Sequence, residues 1–381
     1  MKITCLQESL NRGLNLVSRA VPARSPLPVL SNVLLTTDAG RLKLAAMNQQ
    51  IAISVWVGGN IEREGAVTAP ARLLTDFVGQ LPEGTVNLEL DEETDTLTLT
   101  AEHYRAKVKG IGAEEFPPIP ETGAEREIEV DGAVFGEMID QVAIAAATDD
   151  SRPVLGGVSL TLSPAGLELA AADSYRLAVR SGAMKTGLKE AVQLIVPRQA
   201  MLELRRILAD DPGGVWIGLT ASRSEVLFRT TNVSFVSHLI DGQFPKYAQL
   251  IPTASETRMV APTHALAQAV KIASLFARDG ANVIRVTVEG AEAGGIGRVV
   301  LNAVAADLGE NRGELPCTVE GPSAHIAFNS KFLADCLGAI HAEQVSLALT
   351  GPTSPGLLHP VTKEGDDLTY SHVVMPMHTV R

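Results

Sequence analysis

Apolar residues recur at helical spacing in six places, and short segments of alternating polarity lie between them. Residues 1–20 place Leu6, Leu10, Leu14 and Val17 on one stripe. Residues 127–147 do so with Val134, Met138, Ile139, Val142 and Ala146, and residues 258–277 with Leu266, Ala269, Val270, Ala273 and Phe276. A second set of helices is predicted at 67–81 (Leu73, Leu74, Phe77, Val78, Leu81), 194–208 and 325–340. Pro70 and Pro197 stand alike at two of these, where a missing N–H costs a first helical turn nothing. Such stripes read as core faces.

The six helices fall into three pairs, and the strands between them carry matching punctuation. Pro28-Val-Leu-Ser-Asn-Val-Leu-Leu answers Pro153-Val-Leu-Gly-Gly-Val-Ser-Leu, and Glu115-Phe-Pro answers Gln243-Phe-Pro. Ser237-His238-Leu-Ile is echoed by Ser371-His372-Val-Val, so the two histidines read as equivalent strand positions. The offsets give three tandem α+β copies, 1–122, 123–253 and 254–381, joined through polar segments around 120–126 and 252–256. The end strands of the first and third copies need cover, and pairing with a second chain would close a ring without free edges.

One stretch is individualised. Residues 167–179 begin as an alternating strand with Leu167 and Leu169, break at Asp173-Ser174 and resume with Leu177 and Val179. Polar residues interrupting a strand make a reversal that aims side chains outward. The sister segments near 42–57 and 299–310 lack the Asp-Ser-Tyr-Arg insert.

Composition narrows the class. With 381 residues, 45% apolar and 20% charged, the chain is globular and long enough for two or three domains. No apolar run reaches membrane-spanning length, and the first residues lack the pattern of a signal peptide. Three scattered cysteines, Cys5, Cys317 and Cys336, fit a reducing, cytoplasmic setting. The net charge of −12 argues against nucleic acid only if evenly spread. It is not: Asp91, Glu92, Glu93 and Asp95 cluster in a hairpin-like segment, whereas Arg72, Arg198 and Lys331 open the equivalent helix of each copy. A solvated face is the plainer reading of any one of these cations.

A search for chemistry finds no phosphate loop, nucleophile elbow or His-Glu-x-x-His, and no cofactor or metal is expected. Gly294-Gly-Ile-Gly297 lacks the strand-then-helix context of a phosphate loop, and Asp149-Asp150 reads as a solvated turn rather than a metal pair. Two alternatives remain open: an enzyme using Asp173, Tyr175 and Arg176, or a repeat scaffold binding protein alone.

Asp173-Ser-Tyr-Arg-Leu-Ala-Val, Asp241-Gly-Gln-Phe-Pro-Lys-Tyr and Val373-Val-Met-Pro-Met377, in this order over three copies, resemble the bacterial DNA sliding clamps, the beta subunit of the polymerase III holoenzyme. The resemblance covers the whole chain. It implies a clamp fold, a head-to-tail homodimeric ring and a non-catalytic processivity factor. The implied partners are double-stranded DNA, the replicative polymerase, the clamp loader and other proteins bearing a clamp-binding motif.

By the same resemblance Arg24, Arg72, Asp149, Pro153, Val154, Arg198 and Lys331 fall on DNA-facing positions. Leu155, Ala172, Ser174, Tyr175, Arg176, Leu177, Pro245, Gln249, Leu250, Asn329, Phe332, Val373, Val374, Met375, Pro376 and Met377 match a peptide-binding groove. Ala106, Val108, Leu275 and Phe276 are the expected dimer contacts. The chain departs from the family pattern at Ser174-Tyr175, where Gly-His is frequent, at Pro153-Val154, where aromatic residues are frequent, and in its tail, residues 378–381.

Overall fold

The computed structural model describes the chain except residues 120–126, 150, 212, 221–223, 279–280, 291–295, 306–308, 362–367 and 378–381. Asp150, the first join, most of the Gly294–Gly297 segment and the C-terminal tail therefore lie outside the described residues.

Six α-helices are present: α1 (Gln7–Val17), α2 (Ala71–Gln80), α3 (Gly132–Ala143), α4 (Arg198–Asp210), α5 (Thr263–Ala277) and α6 (Ser330–Ala339). They are the six that the apolar stripes predict. Pro70 is the cap residue before α2, and Pro197 ends the strand before α4, so each proline stands one position outside its helix. In the third copy Asn329 takes that place, its Oδ1 accepting from the Lys331 N–H at 2.9 Å. Two stripe residues are not core. Leu6 ends the first strand and Leu73 lies on the outer side of α2, and both are exposed.

The chain divides into two compact units, Met1–Gly136 with Gln199–Leu239, and Glu137–Arg198 with Ile240–Arg381. The first holds a five-stranded and an eight-stranded antiparallel sheet. In the larger sheet strand Val233–His238 of the second copy pairs with Ile51–Val57 of the first, with Val233 opposite Val55. Helix α1 packs on strands Arg41–Met47 and Ile51–Val57. A Cβ at Gly13 would lie 2.9 Å from both Leu44 and Val57, so glycine is what lets the helix press this close. The Arg12 guanidinium donates to the Asp210 carbonyl at 2.6 Å, satisfying an orphan acceptor at the end of α4.

The second unit holds a twelve-stranded sheet. Here strand Arg176–Ala183 of the second copy pairs with Leu368–Val374 of the third, with Arg180 opposite Tyr370. Helices α5 and α6 pack side by side, with Leu266, Val270 and Ala273 of α5 buried. Arg198 Nε donates to the Ala143 carbonyl at 3.0 Å and so caps α3.

The two junctions between copies share one turn. At the first, Asn48 Oδ1 accepts from the Gln50 and Ile51 N–H groups at 2.8 and 3.0 Å, and the His238 N–H donates to the Gln50 carbonyl at 2.9 Å. At the second, Asp173 Oδ1 accepts from Tyr175 and Arg176 at 2.7 and 2.9 Å, and the Met375 N–H donates to the Tyr175 carbonyl at 2.8 Å. Asn48 thus answers Asp173, Ile51 answers Arg176, and His238 answers Met375. This corrects the Ser-His alignment. Fully buried His372 has its counterpart in Phe235, whereas His238 has half of its side chain exposed.

Candidate functional site

The polar interruption at Asp173 is a tight turn between strands Gly166–Ala172 and Arg176–Ala183. Below it, on one face of the sheet, lies a buried cluster of Ala170, Ala172, Leu177, Val179, Ile195, Phe244, Leu357 and Val373. The strand period puts Val373 on this face and Val374, fully buried, on the other. Val374 therefore offers a bound segment no side-chain contact, a correction to the expected groove set. Ala172, Leu177 and Val373 make a floor. The segment after Asp241 lies over the same cluster. Phe244 is buried in it, and Tyr247 meets Phe244 edge-on with 5.9 Å between ring centres. The Tyr247 hydroxyl donates to Glu168 Oε1 at 2.5 Å, and burial and this partner push the phenol upward from its ordinary range. Pro245, Gln249 and Leu250 then stand exposed along the floor.

Arg176 fixes the other wall. Its Nε donates to Asp173 Oδ2 at 3.1 Å and its Nη1 to Asp335 Oδ2 at 2.6 Å. Its guanidinium carbon lies 4.5 Å from the Phe332 ring centre. Tyr175 stacks on the same ring at 6.2 Å between centres. Arg176 keeps only 9% of its side chain exposed, so its charge is paired while its flat face covers apolar surface. Tyr175, Leu250 and Met375, at 61, 52 and 41% exposure, are the apolar side chains left open around the floor. The Met377 N–H donates to the Ala327 carbonyl at 2.8 Å and fastens the Met-Pro-Met segment along strand Ala324–Asn329. The structure thus brings together all sixteen expected groove residues except the side chain of Val374.

Beside this wall is a cavity of about 210 Å³ bounded by Leu155, Ser174, Tyr175, Arg176, Phe332 and the 146–152 segment. Arg152 Nη2 donates to Ser174 Oγ at 2.9 Å across it. The sequence reading missed Arg152 and Asp335. Asp335 follows Lys331 by four residues on α6 and looks like an intrahelical ion-pair partner, which hides its reach to Arg176.

The expected DNA-facing residues differ in freedom. Arg24 is exposed in a loop stiffened by Pro22, Pro26 and Pro28. Arg72 is 97% exposed with only a loose approach to Asp76 at 3.9 Å, and Lys331 is exposed. Arg198 is half-buried and committed to capping α3. Hydrogen bonds from the Ser151 hydroxyl and N–H hold the exposed Asp149 carboxyl below its usual range, so it is ionised and repels phosphate. Pro153 is exposed, but Val154 leans on the groove cluster.

Of the expected dimer contacts, Leu275 is exposed, while Phe276 and Ala106 are half-buried. Val108 points into its own sheet at 4% exposure because the strand period turns it inward. The exposed side chains of strand Tyr104–Lys109 are Tyr104, Arg105, Lys107 and Lys109, a second correction.

Three tandem α+β copies carrying one specialised apolar groove define a DNA-clamp type of scaffold. The chain matches the DNA polymerase III beta subunit over its N-terminal domain at residues 1–120, its central domain at 129–246 and its C-terminal domain at 248–378. It belongs to this family, the sliding clamps, and its role is the family's role of processivity factor in replication. It is 33% identical over 382 residues to the beta sliding clamp of Synechococcus elongatus, covering 99% of both chains. The solved DNA polymerase III subunit beta of Pseudomonas aeruginosa is 29% identical with a TM-score of 0.90, and the sliding clamp of Bacillus subtilis is 26% identical with a TM-score of 0.91. Each is covered over 100% of both chains.

Proposed function

We propose that two copies of this chain, each made of segments 1–122, 123–253 and 254–381, close head to tail around duplex DNA. The groove below Tyr175 then tethers short apolar segments of the polymerase, the clamp loader and other partners. The chain is a non-catalytic accessory subunit on this reading, acting in the cytoplasm.

The difference between the two junctions carries the reading. Asn48-Gln-Gln-Ile51 and Asp173-Ser-Tyr-Arg176 close the same backbone turn, yet only the second bears an aromatic–guanidinium stack over an apolar floor. Methionines at the rim suit several partners, because an unbranched thioether repacks readily. Arg24, Arg72, Arg152 and Lys331 offer cations to phosphate without reading bases, as sliding requires.

Ring closure is supported by two unpaired strand edges. Tyr104–Lys109 ends the five-stranded sheet with Arg105, Lys107 and Lys109 exposed. Gly309–Glu320 is paired on one side throughout, but on the other only near its end, leaving an edge that carries exposed Glu310 and Glu314. Opposite charge on two open edges favours antiparallel pairing of one copy with the next.

The test is retention on DNA after loading. The clamp is expected to stay on nicked circular DNA in high salt and to run off when the circle is cut. Equal retention on both forms rejects the ring. Independently, a fluorescent apolar peptide is expected to bind and to be displaced by unlabelled copies; absence of saturable binding rejects the groove.

A further inference from the structure

The shared turn allows the two junctions to be compared position by position, and one position is empty. Counting four residues on from Ile51 and Arg176 gives Val55 and Arg180; their partners across the junction are Val233 and Tyr370. Nine residues beyond the start of α1 and α3 stand Leu16 and Gln141, and nine beyond the start of α4 and α6 stand Ile207 and Ala339.

In the second unit this crevice is full. Tyr370 and Arg180 are 1 and 6% exposed, Gln141 Nε2 donates to the Ala339 carbonyl at 3.2 Å, and the Tyr370 hydroxyl donates to the Gln141 carbonyl at 3.1 Å. In the first unit the equivalents Leu16, Val55, Val233 and Ile207 line an open cleft of about 330 Å³, with Asp210 and Asp211 at its rim. Replacing a tyrosine and an arginine by two valines removes enough volume to leave such a space. A cavity of about 150 Å³ already admits a benzene ring.

We infer that this cleft is a second docking point, separate from the groove, for an aromatic side chain carrying a hydrogen-bond donor, a tyrosine on a partner protein. The chemistry follows from the residue that fills the equivalent crevice. A ring lies against valine and leucine methyls, and its hydroxyl finds the carbonyl of Leu16, which answers that of Gln141. The acidic rim of Asp210 and Asp211 favours a donor over an anion, and the Arg12 guanidinium, bound to the Asp210 carbonyl, closes one side. The walls are aliphatic and preformed, so binding orders little of the protein. This inference does not depend on ring closure or on the groove.

The experiment titrates the full chain, methyl-labelled at leucine, isoleucine and valine, with N-acetyltyrosinamide and with N-acetylphenylalaninamide. Saturable shifts confined to Leu16, Val55, Ile207 and Val233 are expected, with the phenylalanine compound weaker by roughly fivefold, the worth of one neutral hydrogen bond. Val233→Tyr, which supplies the ring from within, is expected to abolish them without a loss of melting temperature. No saturable shift, equal binding of both compounds, or binding that persists in folded Val233→Tyr overturns the assignment. A Gly-Ser-Tyr-Ser-Gly peptide is expected to bind at least as well as the single residue; if only the free compound binds, the cleft takes a small phenol and the protein-partner reading fails. Should Val233→Tyr not fold, the two-compound comparison on the native chain decides.

Discussion

The Arg176 guanidinium lies flat on the Phe332 ring, 4.5 Å from its centre, while Asp173 and Asp335 hold its nitrogens. Charge pairing and stacking constrain the same plane, so the wall of the groove is set before any partner arrives. Phe332→Ala is expected to weaken peptide binding by about tenfold, since it removes both the stacked surface and the support of Tyr175. Arg176→Lys keeps the charge but cannot reproduce the flat fork, and is expected to fall between wild type and Arg176→Ala. Fluorescence anisotropy with an apolar peptide measures both. Full affinity in Arg176→Lys would show that charge alone suffices.

Met375 and Val374 separate binding from stability. Met375→Ala is expected to weaken peptide binding several-fold while leaving the melting temperature unchanged, because its side chain is 41% exposed. Val374→Ala, at a fully buried position, is expected to cost about 2 kcal/mol of stability without changing the affinity of the folded protein. Urea titration beside peptide titration checks the pair. The reverse pattern would place Val374 in the groove.

Arg72 and Arg198 occupy similar places at the start of their helices but face different duties. Arg72→Ala is expected to leave stability unchanged and to reduce the salt dependence of DNA binding by about one phosphate contact. Arg198→Ala removes the cap on α3 and is expected to destabilise by roughly 1 kcal/mol. Affinity measured across a salt series, with thermal unfolding, distinguishes them. An unchanged salt slope in Arg72→Ala removes it from the DNA contact set.

His372 makes stability depend on pH. Burial, followed by the charge of Arg176, drives its imidazole down to about 3. The unfolded chain takes up this proton near pH 6.5 and the folded chain does not, so the contribution is complete above about pH 6.5 and shrinks as pH falls toward 3. Between pH 7 and 5 the loss is about 2 kcal/mol, at a slope of at most about 1.4 kcal/mol per unit. His372→Gln is expected to lower stability at neutral pH but to flatten that slope. Equal slopes in urea midpoints from pH 7 to 5 would assign the acid sensitivity to other groups.

The sequence by itself determined the six helices, the threefold repeat and the individualised Asp173–Leu177 turn. Each rests on local information: the 3.6-residue stripe, punctuation by proline and glycine, and a carboxylate able to hold two N–H groups of its own turn. It also placed Leu177 and Met375 beside one another, but only through the family resemblance, since nothing local joins residues about two hundred positions apart. Tertiary structure alone decided what pairing register decides. Strand period turned Val374 and Val108 inward, Asp335 crossed to Arg176, and Arg198 was spent on a helix end. It also showed that the two junctions share one backbone turn but not one filling. The valines at 55 and 233 read as ordinary strand residues until the pairing sets them opposite each other, where Arg180 and Tyr370 stand in the other unit. A side chain's face, partner and leftover volume depend on what the chain brings back from far away, and no local pattern carries that.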